Sequence, residues 1–210
     1  TIEDMKDGIC LECKQKVVLK ENKNLYLALS KFQKDIEEYV EKNNGLWRVN
    51  AKNETNKYLR QGLVDRAVTR DLDWGVDIPV PGYEAKKMYV WIEAVLGYIT
   101  ATMKKCEELG KNWEEFWKEE YNPTIYMVHG KDNIVFHTLI LPGLLLGINE
   151  NYLLPDKIVS TEYLNFHDQK FSKSKGIGMT ILDAIEKYNT DTLRFHLIKN
   201  GPETKDANFT

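Results

Sequence analysis

Thr124-Ile125-Tyr126-Met127-Val128-His129-Gly130-Lys131-Asp132-Asn133-Ile134-Val135-Phe136-His137 is the stretch that decides the fold. Thr124 to His129 alternates and predicts a strand, Gly130-Lys131-Asp132-Asn133 is a polar loop, and a strongly apolar helix starts at Ile134. Strand, polar loop, helix is the unit of a doubly wound α/β sheet. Such sheets bind ligands at the carboxyl ends of their strands, where loops and helix N-termini meet.

Working outward, Met88 to Trp91 predicts a strand that leads straight into a helix ending near Gly110. Trp91, Val95, Tyr98 and Thr102 share one face of that helix. Downstream, Lys157 to Leu164 predicts a further strand. It is followed by Lys170-Phe171-Ser172-Lys173-Ser174-Lys175-Gly176-Ile177-Gly178 and two amphipathic helices reaching about Lys199. Upstream, Ser30-x-x-Gln33 has the form of a capping box opening a helix over Phe32, Ile36, Tyr39 and Val40, with Gly45 as its stop. Asn53 to Gln61 predicts a second helix closed by Gly62, and Pro79, Pro81 and Gly82 mark a turn-rich connection where a boundary is expected. The first twenty residues form a small module holding Cys10-x-x-Cys13 and a short apolar strand, Val17-Val18-Leu19.

The chain has 210 residues with 42% apolar positions, enough to bury a real core. Lys plus Arg number 29 against 32 for Asp plus Glu, a net charge of −3 that argues against a uniformly basic nucleic-acid binder, so no DNA partner is expected. Three cysteines, two of them as Cys10-x-x-Cys13, suit a metal knuckle better than a disulfide framework and point to a reducing, cytoplasmic setting. The longest apolar run, around Phe136 to Ile148, is short for a membrane span and contains Pro142, Gly143 and Gly147, and no signal peptide is visible. No membrane association is expected. The chain starts at Thr1, as an internal fragment would.

Residues 170 to 178 carry the densest chemical signal: three lysines, two serines and two glycines. Lysines on a glycine-containing loop can close on a triphosphate and neutralise charge developing towards a leaving pyrophosphate. The Walker spacing is missing, so a P-loop ATPase is not supported. Asp132, after Gly130 at a strand end, is placed to accept hydrogen bonds from ribose hydroxyls, to cap the helix beginning at Asn133, or to do both. His137 is a lone histidine in an apolar helix, and such a residue is more often a satisfied core group than a reactive one. Trp91 and Tyr98 are either core or the wall of an aromatic pocket suited to a soft, polarisable group.

Three blocks in this order and spacing, Tyr89-Val90-Trp91-Ile92-Glu93-Ala94-Val95-Leu96-Gly97-Tyr98, His129 to His137, and Lys170-Phe171-Ser172-Lys173-Ser174, closely resemble the methionyl-tRNA synthetases, a class I aminoacyl-tRNA synthetase family. Asp65 to Gly75 and Thr161 to Phe166 extend the resemblance over nearly the whole chain. It implies the second half of a Rossmann-like class I catalytic domain with a connective-peptide insertion. Residues 1–80 would be the insertion with half of a zinc knuckle, 81–165 the second half of the nucleotide-binding fold, and 166–210 the lysine-serine loop and its following helices.

The activity implied is ATP-dependent activation of methionine, with Mg2+, followed by transfer to tRNA(Met). By resemblance, Lys173 is the principal phosphate lysine and Lys170 its partner. Asp132 and Gly130 belong to the ATP and ribose site. Trp91, Ala94, Tyr98 and His137 line the methionine pocket, and Arg70 belongs to a mobile element closing over the amino acid. Cys10 and Cys13 match the second half of the family's zinc knuckle, so Zn2+ is expected in the intact protein.

The chain departs from the family at Phe171, where Met is usual, at Glu93 for Asp, and at Val95 for Pro. It contains no His-Ile-Gly-His signature, so the 210 residues alone are expected to be inactive. Two other readings compete: a non-catalytic synthetase-like module binding tRNA or protein, and a synthetase for another apolar amino acid. Lys170, Lys173 and Asp132 weigh against the first, and the tryptophan and tyrosine blocks against the second.

Overall fold

A computed structural model describes residues 5–11, 14–18 and 21–210. At the N-terminus β1 (Met5–Lys6) and β2 (Ile9–Cys10) form a small antiparallel hairpin. Val17 and Val18, expected in a strand, lie outside any strand, and Leu19 is outside the described residues. β3 (Tyr26–Leu27) leads through a 3₁₀ turn into α1 (Gln33–Asn43), which buries Ile36, Tyr39, Val40 and Asn43, one face at helical spacing. The capping box does not form. The backbone N–H and hydroxyl of Ser30 both donate to Asp65, at 3.1 and 2.6 Å, and the Gln33 amide bridges the Leu59 carbonyl and the Leu63 N–H at the far end of the next helix. A tertiary carboxylate has outcompeted the local cap.

α2 (Val49–Gln61) ends where Gly62 takes φ +84°. β4 (Arg66–Ala67) pairs with β3, and β5 (Thr69–Arg70) pairs antiparallel with β6 (Lys87–Met88), so the proline-rich connection is the long loop of a hairpin. The strand expected to reach Trp91 stops at Met88. Tyr89 N–H donates back to Val68 O, and α3 (Val90–Leu109) has already begun, placing Trp91 in its first turn. α3 closes on Gly110 in the left-handed region, as expected.

The central motif is β7 (Tyr126–Gly130) beside β8 (Lys157–Thr161), parallel and in a register that pairs Gly130 with Thr161. Between them the chain passes through a 3₁₀ turn at Lys131–Asn133, a π turn at Phe136–Ile140 and α4 (Leu141–Ile148). Pro142 explains the wide turn. Proline cannot donate to the carbonyl four residues back and its ring crowds that carbonyl, and a π turn just before it relieves the clash. Together residues 131–148 are long and apolar enough to cross a bilayer by length and composition, yet half of the stretch is buried within the protein as a core helix. β9 (Leu164–Phe166) is central in a second sheet, antiparallel to β10 (Gln169–Lys170) and parallel to β11 (Ala207–Phe209). α5 (Ile181–Tyr188) and α6 (Thr190–Lys199) lie between β10 and β11, with Ile181, Leu182, Phe195 and Ile198 exposed.

One buried cluster joins α1, α2, α3, the 131–148 helix and both central strands, from Leu29 to Ile158. Its polar members are satisfied. Thr55 Oγ1 donates to Thr138 Oγ1 at 2.8 Å, which donates to Ile134 O at 2.9 Å. The Tyr39 hydroxyl donates to Pro155 O at 2.7 Å and the Trp47 indole to Asp156 O at 3.1 Å. Leu139, wholly buried in the π turn, is the sharpest test of this core. Leu139→Ala should cost about 2–5 kcal/mol, read from urea midpoints at constant slope; a change near zero would show that the turn does not hold the helices together.

Candidate active site

The parallel pairing of β7 and β8 brings two loops to one end of the sheet. Gly130 ends β7 in the open, where a Cβ would meet nothing within 4 Å. Asp132 follows in the 3₁₀ turn. Its carboxylate caps no helix; one oxygen accepts the hydroxyl of Tyr163, just past β8, and the other lies 4.0 Å from Lys170 Nζ. Lys131 donates to Glu162 at 2.6 Å and Asp206 at 3.1 Å. The Glu162 contact holds the Lys131 ammonium above its ordinary pKa and, reciprocally, Lys131 lowers that of Glu162.

Lys170 ends β10, and the loop beyond it closes on itself. Ser172 and Ile177 exchange both backbone hydrogen bonds, at 2.9 and 3.0 Å, around a 3₁₀ turn at Lys173–Lys175. Phe171 packs on Phe166, 5.5 Å between centroids, and over Gly178, where φ is +129° and a Cβ would fall 2.4 Å from the Phe171 ring. The phenylalanine is thus an apolar anchor for the loop. Lys173 stands exposed on the turn.

The third component lies where α3 meets the π turn. Ile92, Val95 and Ile99 form the buried stripe of α3, whereas Trp91, Ala94 and Tyr98 are exposed beside it, Trp91 and Tyr98 by 44% and 43%. Trp91 and Val95, one turn apart, share a face as expected, but the burial line runs between them. His137 is buried beneath this edge. Its Nδ1–H donates to Asn133 O at 2.8 Å, since a carbonyl can only accept, so Nε2 carries the lone pair that accepts from the Tyr98 hydroxyl at 2.9 Å. His137 is at once a satisfied core histidine and one half of a tyrosine–histidine pair facing the open edge. Trp91 stacks on Phe136 at 5.3 Å.

A cavity of about 540 Å³ opens beside Asp132 and Phe136, lined also by Val135, Tyr89, Arg66 and Arg70 among others. Arg70 is half-buried there; it donates to Ala67 O and Thr69 O, and its guanidinium lies 4.1 Å above the Tyr89 ring.

His129 and Tyr163 escaped the sequence reading. The His129 ring stacks on His137 at 4.2 Å and 15°, donates from Nδ1 to Gly130 O at 3.0 Å, and leaves Nε2 buried without a partner among the described residues. In sequence it is one alternating position of a strand, with nothing to single it out. Tyr163 stands in the segment Thr161 to Phe166 noted above, but its role as partner of Asp132 depends on the strand register.

The family profile described as tRNA synthetases class I (M) matches residues 1–210. The chain belongs to this family. It is 45% identical over 207 residues to methionine–tRNA ligase 1 of Alkaliphilus oremlandii and 48% identical over 209 residues to methionine–tRNA ligase of Bacillus mycoides; in each case 99% of the chain and 38% of the relative are covered. Among solved structures it is similar to Mycobacterium tuberculosis methionyl-tRNA synthetase bound by methionyl-adenylate, with a TM-score of 0.75 and 25% identity over 97% of this chain and 39% of that one. The α/β reading holds for this class I synthetase chain, which spans less than two fifths of the length of the curated relatives it matches.

The knuckle is a different matter. Cys10 is half-buried at the end of β2, within a tight loop closed by Cys10 N–H to Gln15 O at 2.9 Å and Lys14 N–H to Cys10 O at 3.1 Å, and Cys13 lies outside the described residues. Among the described residues no three His, Cys, Asp or Glu side chains group as metal ligands. No chemistry is assigned to zinc.

Burial dominates the two stacked imidazoles. It pushes His129 from the ordinary 6.5 to about 4, with the neighbouring His137 adding to the shift, and it lowers His137 as well. A folded state that resists protonation binds fewer protons than the unfolded chain. The stabilisation is therefore complete above the ordinary 6.5 and is lost as pH falls towards about 4. Urea midpoints should drop between pH 7.5 and pH 4.5, and His129→Phe, which keeps a flat ring without a titrating group, should show a smaller drop. Equal drops in both proteins would take His129 out of the acid response.

Proposed function

We propose that this chain supplies the amino-acid pocket, the ribose acid and the phosphate loop of a methionine–tRNA ligase, which joins methionine to ATP and then to tRNA(Met). The observation that carries the reading is the approach of Lys170, which opens the lysine loop, to Asp132 at one sheet end, from which the crossover helix carrying the Tyr98–His137 hydrogen bond departs. The methionine–tRNA ligases that match 99% of the chain support it. In this reading residues 1–80 are the connective insertion, 81–165 the second half of the nucleotide-binding fold, and 166–210 the loop and its supporting helices. The protein works in the cytoplasm.

The chemistry follows from charge. In the first step a carboxylate oxygen of methionine attacks the α-phosphorus of ATP, the bond to the β-phosphate breaks, and pyrophosphate leaves. In the second, a ribose hydroxyl at the tRNA 3′ end attacks the activated carbonyl and AMP leaves. Negative charge builds on the pyrophosphate during the first step, where Lys173 and Lys170 act as cations that need little reorganisation. Mg2+, when bound with ATP, neutralises further phosphate charge.

Asp132 accepts hydrogen bonds from the ribose, and glycine at position 130 lets the nucleotide approach the backbone. Trp91, Ala94, Tyr98 and His137 surround the thioether side chain: aromatic faces suit a polarisable sulfur, and the neutral His137 presents no charge to it. Arg70 closes over the amino acid.

The test uses the full-length protein that carries this chain. It should exchange pyrophosphate into ATP only with methionine present, and absence of such exchange would refute the assignment. Lys173→Ala should slow single-turnover adenylation by about 10²–10³-fold while leaving methionine affinity nearly unchanged, as expected for a group acting on transition-state charge; equal losses would make the lysine a binding group. Tyr98→Ala should weaken methionine binding and relax discrimination against shorter apolar amino acids by about 10–200-fold at most. Unaltered discrimination would return Tyr98 to a packing role.

A further inference from the structure

Four contacts converge on Tyr163. Its backbone N–H donates to Asp206 Oδ1 at 2.9 Å, which also receives Lys131. Its hydroxyl donates to Asp132 Oδ1. Two ammonium groups lie over its ring, Lys131 Nζ at 3.9 Å and Lys170 Nζ at 4.2 Å from the centroid. The two lysines differ in their other partners. Lys131 is held by Glu162 and Asp206, whereas Lys170 has the Tyr163 ring and hydroxyl and the Asp132 carboxylate at 4.0 Å. That ion pair is two-thirds exposed on both sides, so it contributes little on its own. Once Asp132 turns its hydrogen-bonding capacity to a ligand, Tyr163 is what remains to hold Lys170.

We propose that Tyr163 is a positioning residue that couples the ribose acid to the phosphate loop: its hydroxyl orients the Asp132 carboxylate, and its ring is the platform on which Lys170 rests. The inference builds on the ribose-acid reading of Asp132 given above. A phenol donating to one carboxylate oxygen fixes the plane of the group and leaves the second oxygen for a ribose hydroxyl. The same hydrogen bond, with burial, raises the phenol pKa, so the hydroxyl remains a donor at neutral pH. The face of the ring carries negative charge and attracts an ammonium, drawing Lys170 to the strand end. One side chain thus ties the loop after β7 to the loop after β10, two segments that must act on the same nucleotide.

The two functions of Tyr163 separate by substitution in the full-length protein, measured by methionine-dependent pyrophosphate exchange. Tyr163→Phe keeps the platform and loses the hydroxyl. It should raise the KM for ATP about tenfold, the scale of a hydrogen bond to a charged group, with kcat within about twofold and methionine KM unchanged. Tyr163→Leu loses the platform too and should lower kcat by a further factor of about three to ten. That extra loss should vanish when Lys170 is Met in both variants, because the platform then has nothing to carry. A residue serving only to hold the fold would lower both parameters alike and would not depend on Lys170.

A wild-type ATP KM in Tyr163→Phe, or a Leu-specific loss that persists in full beside Lys170→Met, overturns the coupling. If Tyr163→Leu does not fold, the Phe variant decides alone. Wild-type protein without methionine-dependent exchange would remove the functional reading and this inference together. Normal wild-type exchange with an indifferent Tyr163→Phe removes the coupling only.

Discussion

Everything at the candidate site depends on the parallel pairing of residues 126–130 with 157–161. The register sets Gly130 against Thr161, and with it the starting point of both loops that follow. Shifting it by one residue would turn Glu162 and Tyr163 to opposite faces and separate Lys131 and Asp132 from their partners. Parallel strands need a crossover between them, and here the crossover is the 131–148 helix, whose π turn bears His137. One backbone arrangement therefore sets Asp132, the lysine pair and the buried histidine at once.

Around that frame, burial and charge divide the work. The aromatic edge of α3 and the π turn is apolar, with its imidazole held neutral by desolvation and by a single defined tautomer. The strand-end loops are ionic: Lys131, Lys170, Asp132, Glu162 and Asp206 sit within one network around Tyr163. The apolar and ionic environments thus stand side by side, and a cavity touches both Phe136 and Asp132.

Where the signal was local, the sequence was easy to read. Alternation marked β7, glycines at positions 62 and 110 marked the ends of α2 and α3, and the lysine-serine loop declared itself by composition. It misled where a distant group competed with a near one. Ser30 and Gln33 had a capping box available, but Asp65 and the end of α2 offered better partners once the chain was folded. Trp91 had the residue type of a strand and became the first turn of a helix because Tyr89 bonds back to Val68. The π turn was invisible because it answers a conflict between Pro142 and continuous core packing.

By itself the sequence determined the α/β unit, most helix ends, and the residue types that stand at the strand ends: a carboxylate after β7, lysines after β10, a histidine in an apolar helix. These are set by side chains a few positions apart, through periodicity and backbone preference. Tertiary structure alone decided which of them touch. The Tyr163–Asp132 bond spans 31 residues and the Tyr98–His137 bond 39. No local pattern records such contacts, because they arise from strand register and from the burial of many side chains at once. The tautomer of His137, the low pKa of His129 and the place of Lys170 over an aromatic ring all follow from that packing.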